Sequence, residues 1–408
     1  MIVEGNLLLP DGAQQVKLAL GWLRLEGGRI KEVHLGPCPH EADAGGPQAL
    51  ISPGFIDTHL HMPQFDIIGA HGLDLLDWLD QVTFLAETRW ANADYAQAMS
   101  ERVLDQLLAH GTTSFLGYGT IHHDGTRRAL DACRKRQMRA VVGQVLIDQE
   151  APESMLNERE ASLAQTEALL QDFRDGVDGR VSVAVTPRFA ITCSAQLMAQ
   201  AAELAQRYDA HIQTHLAEMK PELEAVAALH GGPHYTGVYQ RAGLLGQRTV
   251  LGHCIYLSDE ELEILAQTGA VAAHCPTANS FLRSGTMNRA RLLSAGVRLS
   301  VGSDIGGGYE RSMVRSARAM IEATFHAGTA PMSAGAAWWH ITAGNAGAMG
   351  WSSVGSLQEG FEADVLVIEP DVPWLDAYNP LGMLMFGWDD RWLRQTIVAG
   401  AVAFDAAV

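Results

Sequence analysis

The stretch GFIDTHLHMPQF, residues 54–65, sets two histidines one residue apart behind an apolar run and an aspartate. With the preceding LISP it reads as a strand over 50–61. Residues i and i+2 of a strand point to the same face, so His59 and His61 can aim both imidazoles at one point. What lies around that point depends on the sheet this strand joins.

Further along, short apolar runs alternate with long helical patterns. After 50–61 the strand candidates are TSFLGYG (113–119), RAVVGQVLID (139–148), RVSVAVTPRF (180–189), HIQTHLAE (211–218), TVLGHC (249–254), AVAAHCP (270–276) and RLSVGSD (298–304). Between them lie helix-like segments such as DYAQAMSERVLDQLLAHG, SAQLMAQAAELAQRY and SDEELEILAQTG. Apolar strands each followed by a helix suit a parallel sheet buried on both faces. Eight such units over roughly 250 residues is the size of a closed (β/α)8 barrel. The expected fold is therefore α/β: a TIM-type (β/α)8 barrel over 51–353, with a small β-sandwich-like domain built from 1–50 and 354–408. Both terminal regions read as short strands between Gly-rich turns.

The 408 residues are 47% apolar and 19% charged, enough for a sizeable core. A formal net charge of −18 argues against a nucleic-acid or anionic-membrane partner and leaves a small neutral substrate unaffected. Five scattered cysteines without a CxxC read as reduced thiols. The start, MIVEGNLLLPDG, lacks the basic opening of a signal peptide. No apolar run reaches the roughly 20 residues of a bilayer span. A cytoplasmic protein is expected.

In such barrels the catalytic groups sit at the carboxyl ends of the strands. The first strand ends in His59 and His61, the fourth in Arg188, the fifth in His215 and Glu218, the sixth in His253 and the eighth in Asp304. A lone histidine at a strand end is usually a capped or solvated side chain; five coincident strand ends are another matter. His59, His61, His215 and Asp304 suit one Zn²⁺ per chain, with Fe²⁺ or another divalent metal also open. The fourth strand lacks the lysine that a bridged pair of metals would need, so a single ion is expected. His274 is read as structural or as a rim residue, and His122 and His123, which could line the mouth, as structural. His71, His110, His230, His234, His326 and His340 are read as partnerless histidines of helices or loops. Asp57 faces the same way as the pair and is expected to bond a barrel residue or orient a ligand.

A divalent metal yields hydroxide from bound water at neutral pH. Asp304 can take that water's proton, and Glu218 can protonate the leaving group. His253 is either a further ligand or a hydrogen-bond partner of the hydroxide. These roles make a hydrolase, without choosing among an amide, an amidine-like C–NH₂ and a chloride.

Several spaced segments make the reading more specific. PGFIDTHLHMPQF, GAHGLDLLDWLDQVTFLAE, VTPRFAITCS, THLAEMKPELEAV, HCPTANSFLRSGTMN and VGSDIGGGYERSM resemble motifs of the amidohydrolase superfamily, and within it of the guanine deaminase family. The resemblance implies zinc on His59, His61, His215 and Asp304, with Glu218 as proton shuttle assisted by His253. It implies purine contacts from Gln64, Arg188 and Phe189, and conversion of guanine and water to xanthine and ammonia. By analogy it implies a homodimer. Trp78 and Phe84, after the first strand, could cover the flat ring; core packing is their bland alternative. The departures are Met62 and Pro63 before Gln64, Ala278 and Phe281 for a usual Ser and Leu, Ser303 for Thr, and FGWDDR near the end. None removes a ligand, though Ala278 and Phe281 could reshape the pocket. The rivals are a deaminase of a pterin, cytosine or oxidised purine and, from another class, a non-catalytic barrel scaffold.

Overall fold

The computed structural model describes residues 1–174, 179–232 and 234–407. All eight expected central strands are present, and they are short. Phe55–His61, Thr112–Tyr118, Arg139–Gly143 and Val181–Val183 form one parallel four-stranded sheet in that order. Ile212–Leu216, Thr249–His253, Val271–His274 and Arg298–Val301 form a second. Two seams carry hydrogen bonds between the sheets. On one side Val185, just past Val181–Val183, bridges to Ile212, beside a separate two-stranded ladder of Val145–Leu146 with Thr186–Pro187. On the other, Asp304 donates its backbone N–H to the carbonyl of His59 (2.8 Å), and His61 donates to that of Ile305 (3.2 Å).

The helices follow from apolar spacing and capping. In Ala93–Ala109, Met99, Val103, Leu104, Leu107 and Leu108 turn inward. The Asn92 side chain accepts from the N–H groups of Asp94 and Tyr95, closing two of the free donors at that end. Asp259–Thr268 starts on a Ser258–Glu261 capping box and stops at Gly269, whose φ of 73° is left-handed.

The terminal strands form one seven-stranded sheet, in the order Ala401–Asp405, Leu393–Val398, Val365–Ile368, Ala44–Pro53, Ile2–Pro10, Val16–Glu26 and Arg29–Leu35. A sandwich-like pair of sheets was expected; among the described residues the ladder is continuous. The segment 50–61 also divides. Up to Pro53 it belongs to the terminal sheet, paired with Val365–Ile368, and from Phe55 it joins the parallel strands. The break falls at Gly54, where a Cβ would lie 2.1 Å from Oγ1 of Thr113. Buried Arg180, at the start of its strand, is held by Glu362 and by both oxygens of Asp364 (2.8 and 2.7 Å), tying the parallel strands to the terminal sheet.

Candidate active site

The strand Phe55–His61 is buried along its whole length. Its alternation puts the imidazoles of His59 and His61 beside Asp304: Nε2 of each lies 3.5 and 3.4 Å from Oδ1. Nε2 of His61 and of His215 are 3.1 Å apart. Nδ1 of His215 donates to the carbonyl of Arg188 (2.7 Å). A carbonyl only accepts, so the Nε2 of His215 is left with a free lone pair.

His59 is wholly buried and neither ring nitrogen has a hydrogen-bond partner among the described residues. Such an orphan is costly unless a cation takes the lone pair. The packing holds the ring in place, because a Cβ on Gly252 would lie 2.7 Å from its Cε1, and one on Gly302 2.5 Å from its Cβ. Burial drives His59, His61 and His215 well below the usual histidine pKa, so all three are neutral donors, as ligation requires. Burial pushes Asp304 up to about 7 against the opposing charges of His253 and Arg188; a divalent cation beside it would restore the carboxylate. The donor set fits a zinc-like ion.

Glu218 stands opposite. Its Oε2 lies 3.2 Å from Nε2 of His253, and Ser284 donates to its Oε1 (2.7 Å). Nδ1 of His253 meets Oδ1 of Asn279 at 2.9 Å. Burial raises the pKa of Glu218. Burial works against a charged His253, but Glu218 and Asp304 outweigh it and raise that value too. The pair is built to hold one proton between them. The N–H groups of Glu218 and Met219 both donate to Glu222 (2.7 and 3.2 Å), fixing the backbone beneath the carboxyl.

His61, His215, Asp304, Glu218, Glu222 and His253 line a cavity of about 410 Å³ together with Gln64, Trp78, Arg188 and Phe189, while His59 is wholly buried. The four expected base contacts therefore share one space with His61, His215 and Asp304. Phe84 does not line it: its ring lies under the guanidinium of Arg188, at 5.3 Å from Cζ. Asp57 accepts from the N–H groups of His59 and Ser303 and from the Ser303 hydroxyl, so it splints two strand ends rather than touching an imidazole. His274 is buried within the protein rather than at the rim.

Glu87, Glu222, Asn279 and Ser284 were not anticipated. Glu87 is buried and accepts from Gln64 Nε2 (2.8 Å) and, on both oxygens, from Arg188 Nη1 (3.0 and 2.7 Å). A carboxylate closing an aromatic helical run was the available signal, since a charge in such company needs a partner.

Residues 50–403 match the model of the amidohydrolase family. The guanine deaminase of Escherichia coli (strain K12) is 35% identical over 370 residues, 87% of this chain and 83% of its own length. The solved structure of E. coli guanine deaminase superposes with a TM-score of 0.93 at 31% identity, over 99% of both chains. A guanine deaminase from C. acetobutylicum, solved with guanine bound in its active site, gives 0.92 at 28% identity, again over 99% of both chains.

Proposed function

The chain belongs to the amidohydrolase family and groups within it among the guanine deaminases, and from this premise we propose that it is an enzyme that hydrolyses guanine to xanthine and ammonia. The observation that carries the reading is the convergence, around one cavity, of His61, His215 and Asp304 with His59 packed beside them, of Glu218, and of two side chains suited to a purine edge.

We assign His59, His61, His215 and Asp304 as metal ligands, with zinc as the ion and Fe²⁺ as its nearest substitute. When bound there, zinc supplies hydroxide at neutral pH by lowering the pKa of a water from about 16 to about 7. The remaining roles fall to the protein. Over the reaction the C2–N bond of guanine breaks and a C2–O bond forms. Of the two protons that water brings, one ends on the ring nitrogen N3 and the other on the departing ammonia. Glu218, its pKa raised by burial and its carboxyl placed between His253 and Ser284, can deliver the first and then carry the second. His253 steadies it, its own far nitrogen pinned by Asn279. Trp78 and Phe189 cover the flat faces of the base and keep bulk water out. Arg188 donates to the carbonyl oxygen and Gln64 meets the neighbouring ring edge.

The two seams between the four-stranded sheets support a closed eight-stranded barrel over 51–353. The Arg180 clamp supports treating the terminal sheet, 1–50 and 354–408, as a second domain. Among the described residues no helix is long and apolar enough to cross a membrane. Following its family, we take the protein as a cytoplasmic homodimer of purine catabolism. The test is zinc analysis of purified protein followed by ammonia release from guanine, adenine, cytosine and pterin. Turnover of guanine with one zinc per chain is expected; turnover of another base alone would overturn the assignment.

A further inference from the structure

Gln64 and Arg188 both reach the cavity, yet neither is free to choose how it faces the ligand. Both are tied to Glu87, on the helix Phe84–Thr88. A carboxylate can only accept hydrogen bonds. Gln64 must therefore turn its Nε2 toward Glu87, which commits the amide nitrogen and leaves Oε1 as the end available to a ligand. Among the described residues no protein group donates to that oxygen. Arg188 spends Nη1 on Glu87 and stacks on Phe84, leaving Nη2 and Nε without an acceptor among the described residues. The cavity thus presents one fixed acceptor beside fixed donors.

We propose that Glu87 is the positioning residue that sets the hydrogen-bond polarity of the pocket, so that it accepts a purine whose C6–N1 edge is a lactam (C=O next to N–H) and rejects one whose same edge is an amidine (C–NH₂ next to bare N). This rests on the guanine reading above and deepens it. The Oε1 of Gln64 faces the N1–H of guanine, and the free nitrogens of Arg188 face O6. In a 6-aminopurine both partners are inverted: a lone pair meets Oε1 and an amine meets the guanidinium. Buried groups left unpaired in this way reject an analogue far more strongly than a missing methylene does. An adaptable amide, able to flip, would recognise both patterns; the carboxylate removes that freedom. Glu87 touches no reacting atom and acts only through its two partners.

The experiment compares guanine with 2,6-diaminopurine, which keeps the reactive C2 amine and exchanges the lactam for an amidine. Wild-type protein should prefer guanine in kcat/KM by about a thousandfold or more. Glu87→Gln keeps the shape but can donate as well as accept, so Gln64 can invert. Its guanine kcat/KM should fall while its preference narrows by about tenfold or more, with zinc content unchanged. A fall that leaves the preference within about twofold of wild type would mean that Glu87 is merely structural, and an unchanged enzyme would equally overturn the idea. If wild type fails to deaminate guanine, it is the functional reading that fails, and this is seen before any variant is made. Should Glu87→Gln not fold, wild type still decides through two ligands with no C2 amine. Hypoxanthine should compete at least about tenfold better than adenine; equal inhibition overturns the proposal.

Discussion

At the scale of single residues, two carboxylates in one cavity are placed for different work. Asp304 lies against His59 and His61, while Glu218 lies against His253 and a serine hydroxyl. An acid that must hold and pass a proton near neutral pH needs a raised pKa, and burial supplies it for Glu218. Glu218→Gln keeps the hydrogen bond from Ser284 and removes the proton. Turnover of guanine should drop by about a hundred- to ten-thousandfold, while elemental analysis still finds the metal. Retained activity near wild type would remove Glu218 from the chemistry. Loss of metal along with activity would instead make it part of the ligand set.

At the scale of elements, the site depends on strands that stop abruptly. Ala217, His253 and Asp304 all follow or end a strand with φ of 52°, 71° and 53°, left-handed values that non-glycine residues rarely adopt. Each such residue costs on the order of 1–3 kcal/mol and clusters where side chains must be re-aimed. The strand-end histidines were readable in the sequence because the period of two and the strand–helix alternation fix where His59, His61 and His215 point. The partners that hold them were not. Glu87 follows a π-helical turn at Leu79–Thr83, which shifts the helical phase by a residue, so no regular periodicity puts it beside Gln64 and Arg188. Asn279 and Ser284 lie in or just past a six-residue helix after a strand end, where polar residues are ordinary. Glycines in mid-strand were equally silent, though Gly252 leaves the space that the ring of His59 occupies. Gly252→Ala should therefore weaken zinc binding about 10- to 100-fold, the usual effect of disturbing a ligand's support. Competition with a chelator measures it, and unchanged circular dichroism would separate the effect from misfolding.

At the scale of the whole molecule, histidines far from the cavity join distant parts of the chain. His340, read from sequence as partnerless, accepts from Arg289. His211 reaches 138 positions along the chain to meet the carbonyl of Met349 at 3.1 Å, closing the end of the parallel strands opposite the cavity. Such contacts are invisible to sequence reading because separation along the chain carries no information about them. They also make stability depend on pH. Burial lowers the pKa of His211 to about 4, with nearby Arg248 adding to it while the Met349 carbonyl and Asp209 oppose it. The folded value lies below the ordinary 6.5 of the unfolded chain. Between those values the unfolded chain binds a proton that the folded one refuses, so this histidine's contribution is lost as pH falls. Burial pushes Asp57 and Glu222 up to about 7, and they act in the opposite sense over much of the same window. The overall acid profile is a sum of both, and a single substitution isolates the histidine. His211→Gln keeps a donor for Met349 but cannot titrate. Relative to the variant, wild type should lose about 1.4 kcal/mol of unfolding free energy per pH unit below about 6.5. Urea midpoints at neutral and mildly acidic pH read that difference directly. Parallel curves for the two proteins would show that His211 titrates normally in the folded state.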